Sequence, residues 1–259
     1  MSLFGEMSGF GGSAESSGII SGIVTGTVKE NYDKDNPGKV KVELFLGEDG
    51  INVTGWIPVM TPYAGNKYGG YALPEIGDEV VVAFRMGDRN CPIVIGSLWS
   101  GKNLQPEGAV EEKNMIKRFV TKGNNEILIN DTADKQKIEI KTAKGKSIII
   151  DEENDNMIIH DKDKKNSLTI DSKGGEITIK AEKKVTIDAG GVKGVFDGSG
   201  KKMSLEAGTI EVKADQTFSS KGATTKIEGA NIEIKANATI KAQSSAVTEI
   251  KGALVKING

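Results

Sequence analysis

From Gly123 onward the chain repeats one short phrase: apolar, any residue, apolar, then charged or polar. Ile127-Leu128-Ile129-Asn130 is followed by Ile138-Glu139-Ile140-Lys141, Ile148-Ile149-Ile150-Asp151 and Met157-Ile158-Ile159-His160. Leu168-Thr169-Ile170-Asp171 and Ile177-Thr178-Ile179-Lys180 continue it, and it returns at 185–188, 203–206, 210–213, 225–228, 232–235, 238–241 and 255–258. A period of two is the period of a strand, so each phrase predicts a strand with one apolar and one polar face. Gly, Ala, Asn and Asp fill the intervals, as turns require. Short internal repeats of this kind predict a β-helix. The units start roughly nine to eleven residues apart at first and about six to eight apart after Ile210, so its cross-section should narrow toward the C-terminus.

Each unit offers only two or three apolar side chains, too few to fill a coil closed by one chain. Three copies wound about a threefold axis would each supply one wall and leave no open strand edge. The composition agrees: 37% of the 259 residues are hydrophobic and 5% aromatic, with 33 glycines, a thin supply for a compact monomer of this length. The expected state is a homotrimer.

Upstream the pattern changes. Residues 1–17 are Gly- and Ser-rich and read as a flexible arm. Residues 18–100 contain five short β-rich runs (Ile19–Val28, Lys39–Leu46, Trp56–Val59, Glu79–Phe84 and Ile93–Leu98) separated by turn clusters, the strongest being Asn36-Pro37-Gly38. Five strands in about eighty residues suit a small closed barrel. Residues 101–122 read as a linker with a short helix near Val110–Arg118. Residues 123–259 form the repeat, broken at Gly190–Gly200, where a bulge or loop is expected. The fold class is therefore all-β: a barrel, then an intertwined trimeric β-helix.

The barrel motifs resemble those of the phage baseplate assembly protein V and VgrG spike families. The resemblance rests on Gly22–Val28, Asp35–Val42, Trp56-Ile57-Pro58-Val59, Leu73–Val80, Gly87–Pro92 and Ile93–Leu98, in that order. Thr121–Asp131 is similar to the neck where such needles begin, and Val255–Gly259 resembles a common needle end. The resemblance implies an OB-fold barrel on a trimeric triple-stranded β-helix, acting as the central spike of a contractile injection system such as a phage tail, a phage-like bacteriocin or a related secretion apparatus. It further implies a PAAR-type tip protein seated on Leu254, Val255, Lys256, Ile257, Asn258 and Gly259. The hub domain that precedes the barrel in full VgrG proteins is missing here, which implies a separate hub beneath the tube and baseplate. Residues 101–122 are too few for a lysozyme domain. Assembly in the bacterial cytoplasm and release within the particle follow, since no signal peptide or transmembrane segment is visible.

Chemistry-bearing residues are sparse. Cys91 excludes an intrachain disulfide or cysteine zinc site and reads as a small buried residue. His160, the only histidine, falls in register with Asp151, Asp171 and Lys180 and reads as a surface residue rather than part of a threefold ion ring. Glu139, Asp151, Asp171, Glu182 and Glu233 alternate with lysines, as on a solvated, ion-paired face, and not as a carboxylate pair for glycoside cleavage. The glycine-rich stretches Gly5–Gly12 and Gly190–Gly200 lack phosphate-loop spacing. Trp56, Tyr63, Tyr68, Tyr71, Phe84 and Trp99 could stack nucleobases. Residues 1–100, however, carry 7 Lys and Arg against 12 Asp and Glu, which opposes phosphate binding, so core and subunit-contact roles are expected. No nucleophile and base fall together, and neither an enzyme, a cofactor, a metal nor a nucleic-acid partner is expected. The alternative is a fibre or adhesin recognising a surface glycan through the barrel or the 190–200 interruption.

Overall fold

The computed structural model describes residue 20 and residues 22–46 and 52–257. The expected arm 1–17, the stretch Gly5–Gly12 and the terminal pair Asn258 and Gly259 lie outside the described residues. The chain divides into two compact units: residues up to 185 with 196–202, and residues 186–195 with 203–259.

The first unit opens with β1 (Ile23–Glu30), β2 (Lys39–Leu44), β3 (Ile57–Pro58), β4 (Ala64–Gly65), β5 (Tyr68–Gly69), β6 (Glu79–Phe84) and β7 (Pro92–Ser97). Five of these pair in the order β3-β2-β1-β6-β7, and a parallel bridge between Val59 and Val94 closes the ring back onto β3. The expected strands are all present within a few residues; the β4–β5 hairpin is an addition. Strict alternation along β2 and β6 points Val40, Val42, Leu44, Val80, Val82 and Phe84 inward, where they meet Val28, Ile57 and Val94. Each fully buried valine contributes about 1.5–3 kcal/mol relative to exposure. Gly26 lies where β1 and β2 approach most closely: a Cβ there would sit 2.4 Å from the Glu43 carbonyl oxygen.

The turn chemistry is as expected. Gly38 takes φ +74°. Asp33 Oδ1 accepts hydrogen bonds from the Asp35 and Asn36 amides and from Asn36 Nδ2, and the Asn36 side chain above all holds its carboxyl below the usual range. Of the barrel aromatics only Phe84 enters the core. Tyr63, Tyr68, Tyr71 and Trp99 are exposed, and Trp56 is half-buried beneath Lys41, whose Nζ is 4.9 Å from the ring. The core is aliphatic because small β-branched side chains fill so narrow a barrel. Cys91 also departs from expectation. It is half-buried in a turn, its Sγ 3.5 Å from both Asp88 Oδ2 and Arg85 Nη2.

Next comes a seven-stranded antiparallel meander: β8 (Ile116–Val120), β9 (Glu126–Asn130), β10 (Lys137–Lys141), β11 (Ser147–Asp151), β12 (Asn156–His160), β13 (Ser167–Asp171) and β14 (Glu176–Lys180). Here the expected linker is corrected. Ile116–Val120 is a strand and not part of a helix: Lys117, Phe119 and their neighbours alternate with period two, and β9 offers an edge to pair with.

Then β15 (Lys184–Ala189), β16 (Val192–Asp197) and β17 (Lys202–Glu206) form a three-stranded sheet in sequence order. The stretch 190–200 is therefore a strand between two turns and no bulge. Gly190 and Gly191, at φ +56° and +95°, turn the chain into it. From 207 to 257 the described residues contain no strand, although the repeat continues there.

Candidate functional site

The meander's register sorts its side chains into columns. Every strand is five residues long, and the pairing is unshifted from β8 to β14. The second and fourth positions of each strand share one face. One column runs Ile129, Ile138, Ile150, Met157, Ile170, Ile177; the other runs Ile127, Ile140, Ile148, Ile159, Leu168, Ile179, preceded by Phe119. Lys117 is the one charged member. Phe119 is 58% exposed and Ile148 46%, and among the described residues no element covers this face. A continuous apolar strip of this extent is what solvent-facing surfaces avoid and interaction surfaces carry.

The opposite face holds positions one, three and five. It is mixed, with Leu128, Glu139, Ile149, Ile158 and Thr169 half-buried along its middle and Thr178 exposed at the last strand. Ser147 is the most enclosed polar residue, donating to Glu139 Oε1 at 3.2 Å, while Lys137 lies 3.5 Å from Glu139 Oε2. His160 sits between Ser147 and Ser167 in register, half-buried rather than at the surface, with Nδ1 2.8 Å from the Asp161 carbonyl oxygen. Asp151, Asp171 and Lys180 share its face.

The carboxylates considered for chemistry are dispersed. Glu182 pairs with Lys165 at 2.6 Å and Glu233 with Lys235 at 2.7 Å. Asp151 is held below the ordinary carboxylate range, first by the Asn154 side chain and then by the Asn154 amide. Asp171 accepts from the Gly174 amide at 2.7 Å. Each of the five is thus engaged by its own local neighbours.

Residues 207–257 extend the same theme without a partner. Lys213–Glu211, Lys226–Glu228, Lys235–Glu233 and Lys251–Glu249 are ion pairs two residues apart, the spacing that puts both side chains on one side of an extended backbone. Val212, Ile227, Ile234 and Ile250 lie between or beside them, on the other side and exposed. Beside these ion pairs, the Ala246 amide donates to Ser244 Oγ, and no backbone ladder joins the described residues of this segment. Leu254, Val255 and Ile257, expected as a docking platform, are exposed here as well.

A five-strand barrel, followed by a repeat of strands with one apolar face uncovered among the described residues, defines a barrel-and-strand-repeat class of protein. Residues 24–99 match the Type VI secretion system/phage-baseplate injector OB domain. Over 132 residues, 47% of this chain, the protein is 34% identical to the Type VI secretion system spike protein VgrG5 of Pseudomonas aeruginosa. Over 162 residues, 60% of this chain, it is 29% identical to the spike protein VgrG3 of Vibrio cholerae. It is also 29% identical over 150 residues, 55% of this chain, to the actin cross-linking toxin VgrG1 of Vibrio cholerae. The chain spans 16% of the length of each of the first two relatives and 14% of the third. These matches establish similarity to VgrG spikes over about half of this chain, with the injector OB-domain match confined to the barrel.

The sequence reading found the apolar columns through their period. It missed β8 and β16, whose apolar members (Ile116, Phe119; Val192, Val195, Phe196) depart from the four-residue phrase.

Proposed function

We propose that this protein is the structural central spike of a contractile injection system. Three copies cover one another's bare sheet faces and interlock through residues 207–257. One observation carries this reading: an injector-type barrel is joined to a strand repeat whose apolar face has no cover among the described residues. Apolar area of that extent is stabilising only when removed from water, and unpaired extended backbone gains a ladder only from another strand.

In this reading the barrel is the collar that seats on a hub, and the strand repeat is the piercing element. Catalysis plays no part. The end at Leu254, Val255, Lys256 and Ile257, extended by Asn258 and Gly259, would carry a small tip protein. Among the described residues no helix is long and apolar enough to cross a membrane, which fits a part carried by a particle.

Light scattering on the full chain tests the core of the proposal. The expected mass is three times 27.5 kDa. A well-folded single chain at micromolar concentration would overturn it. Injection particles assembled with an Ile148→Asp chain are expected to form tubes and sheaths but to lose puncturing of target cells.

A further inference from the structure

The meander is electrically polarised along its strands. Its hairpin turns alternate between two rims. Turns 131–136, 152–155 and 172–175 form one rim, with five acidic residues against two lysines. Turns 121–125, 142–146, 161–166 and 181–183 form the other, with seven lysines against three acidic residues. The end columns of the strands add to the bias: Asp151, Asp171 and Glu176 against Lys137 on the first side, Lys141 and Lys180 against Glu126 on the second.

Both rims are continuous edges. On the acidic rim the Asp131, Glu152 and Ser172 amides donate to the carbonyls of Met115, Gln136 and Asp155, binding each turn to the next. On the basic rim the Ala143 amide donates to Asn125 Oδ1 and the Glu182 amide to Asn166 Oδ1. Some charges are consumed within a rim, as in Lys135–Glu153 and Lys165–Glu182. Lys144, Lys146 and Lys162, and Asp131, Asp134 and Glu152, are exposed and make no ion pair among the described residues.

We infer that the acidic rim of one copy docks against the basic rim of the next. Rotation about an axis along the stack of strands brings unlike rims together at every junction, a heterologous contact that closes into a ring. A copy packed upside down would bring like rims together and be repelled. The apolar face drives association, and the rims decide orientation and register. This inference rests on the multimeric reading proposed above and adds to it the surface by which copies recognise one another.

The test uses three variants of the full chain. One carries Lys144→Glu, Lys146→Glu and Lys162→Glu, the second Asp131→Lys, Asp134→Lys and Glu152→Lys, and the third all six changes. Each single-rim variant is expected to assemble at least ~10-fold more slowly than wild type at low salt, a gap that closes at high salt. The six-fold variant, whose rims are exchanged but still unlike, should regain wild-type assembly; circular dichroism confirms that each chain keeps its sheet. Single-rim variants that assemble like wild type at low salt would overturn rim pairing and leave the multimeric reading standing. So would a loss that the six-fold reversal does not restore. A wild-type chain that stays single would overturn both.

Discussion

The barrel and the meander are both antiparallel, both rich in β-branched residues, and opposite in how they use them. In the barrel Val28, Val40, Val42, Val80, Val82 and Val94 are fully buried by the chain itself. In the meander Ile127, Ile138, Ile148 and Ile159, in strands just as regular, remain between 44% and 48% exposed. Closure makes the difference. The Val59–Val94 bridge turns five strands into a ring with an interior, whereas seven strands that never return to their first edge have only two faces. Alternation alone thus says which side is apolar; topology says whether the chain can cover it.

The contrast is most sharply broken at Ile148. Replacing it by Asp places a charge in the middle of the uncovered strip. The expected result is loss of the multimer, read as a fall to single-chain mass by light scattering, with barrel unfolding unchanged. The reciprocal experiment is Val82→Ala. Two methylene equivalents and a small void should cost the barrel about 2 kcal/mol. Because the barrel's core is its own, that loss in chemical denaturation followed by Trp56 fluorescence should not depend on protein concentration.

A third experiment uses pH. Asp151 has a folded-state pKa lowered by Asn154, so its contribution is fully present above the unfolded value of 3.8 and disappears as pH falls through the folded one. Asp151→Asn should therefore lower the melting temperature of the meander at neutral pH, and the difference from wild type should vanish in strong acid. The smallest effect is expected for Lys122→Ala. Its partner Glu75 is 3.2 Å away, but both side chains are largely exposed, so the loss in denaturation should stay within about 0.5 kcal/mol and disappear in high salt.

The boundary between what the residues disclose and what they conceal follows the same contrast. The β2 and β6 strands, the turn at Gly38 and the apolar columns of β9 to β14 were legible because each is specified locally, by period two or by turn chemistry. The early units were read as coils of a wound structure, whereas one chain folds them as a meander. The two arrangements place the same residues on the same face, so the pattern cannot separate them. Strand β16 was obscured by Gly194 and its flanking glycines, and β8 by charged neighbours that suggested a helix. Phe84 entered the core while Tyr63 and Tyr68 stayed outside, their rings tilted by 43° with centroids 5.5 Å apart in a short hairpin no period announces. The candidate surface was legible as composition. Its two charged rims were not, because they exist only once alternate turns are brought to the same side.

Every strand of the meander pairs only with its neighbours in sequence. Contacts so local form quickly, hairpin by hairpin, while a chain is still leaving the ribosome. On the proposed multimeric reading, the greasy strip is consequently complete before a second copy need be present, and the newborn chain carries it until one arrives. Lys117 at the edge of that strip, and the salted turns fencing it on both sides, then act as gatekeepers against promiscuous aggregation during the wait.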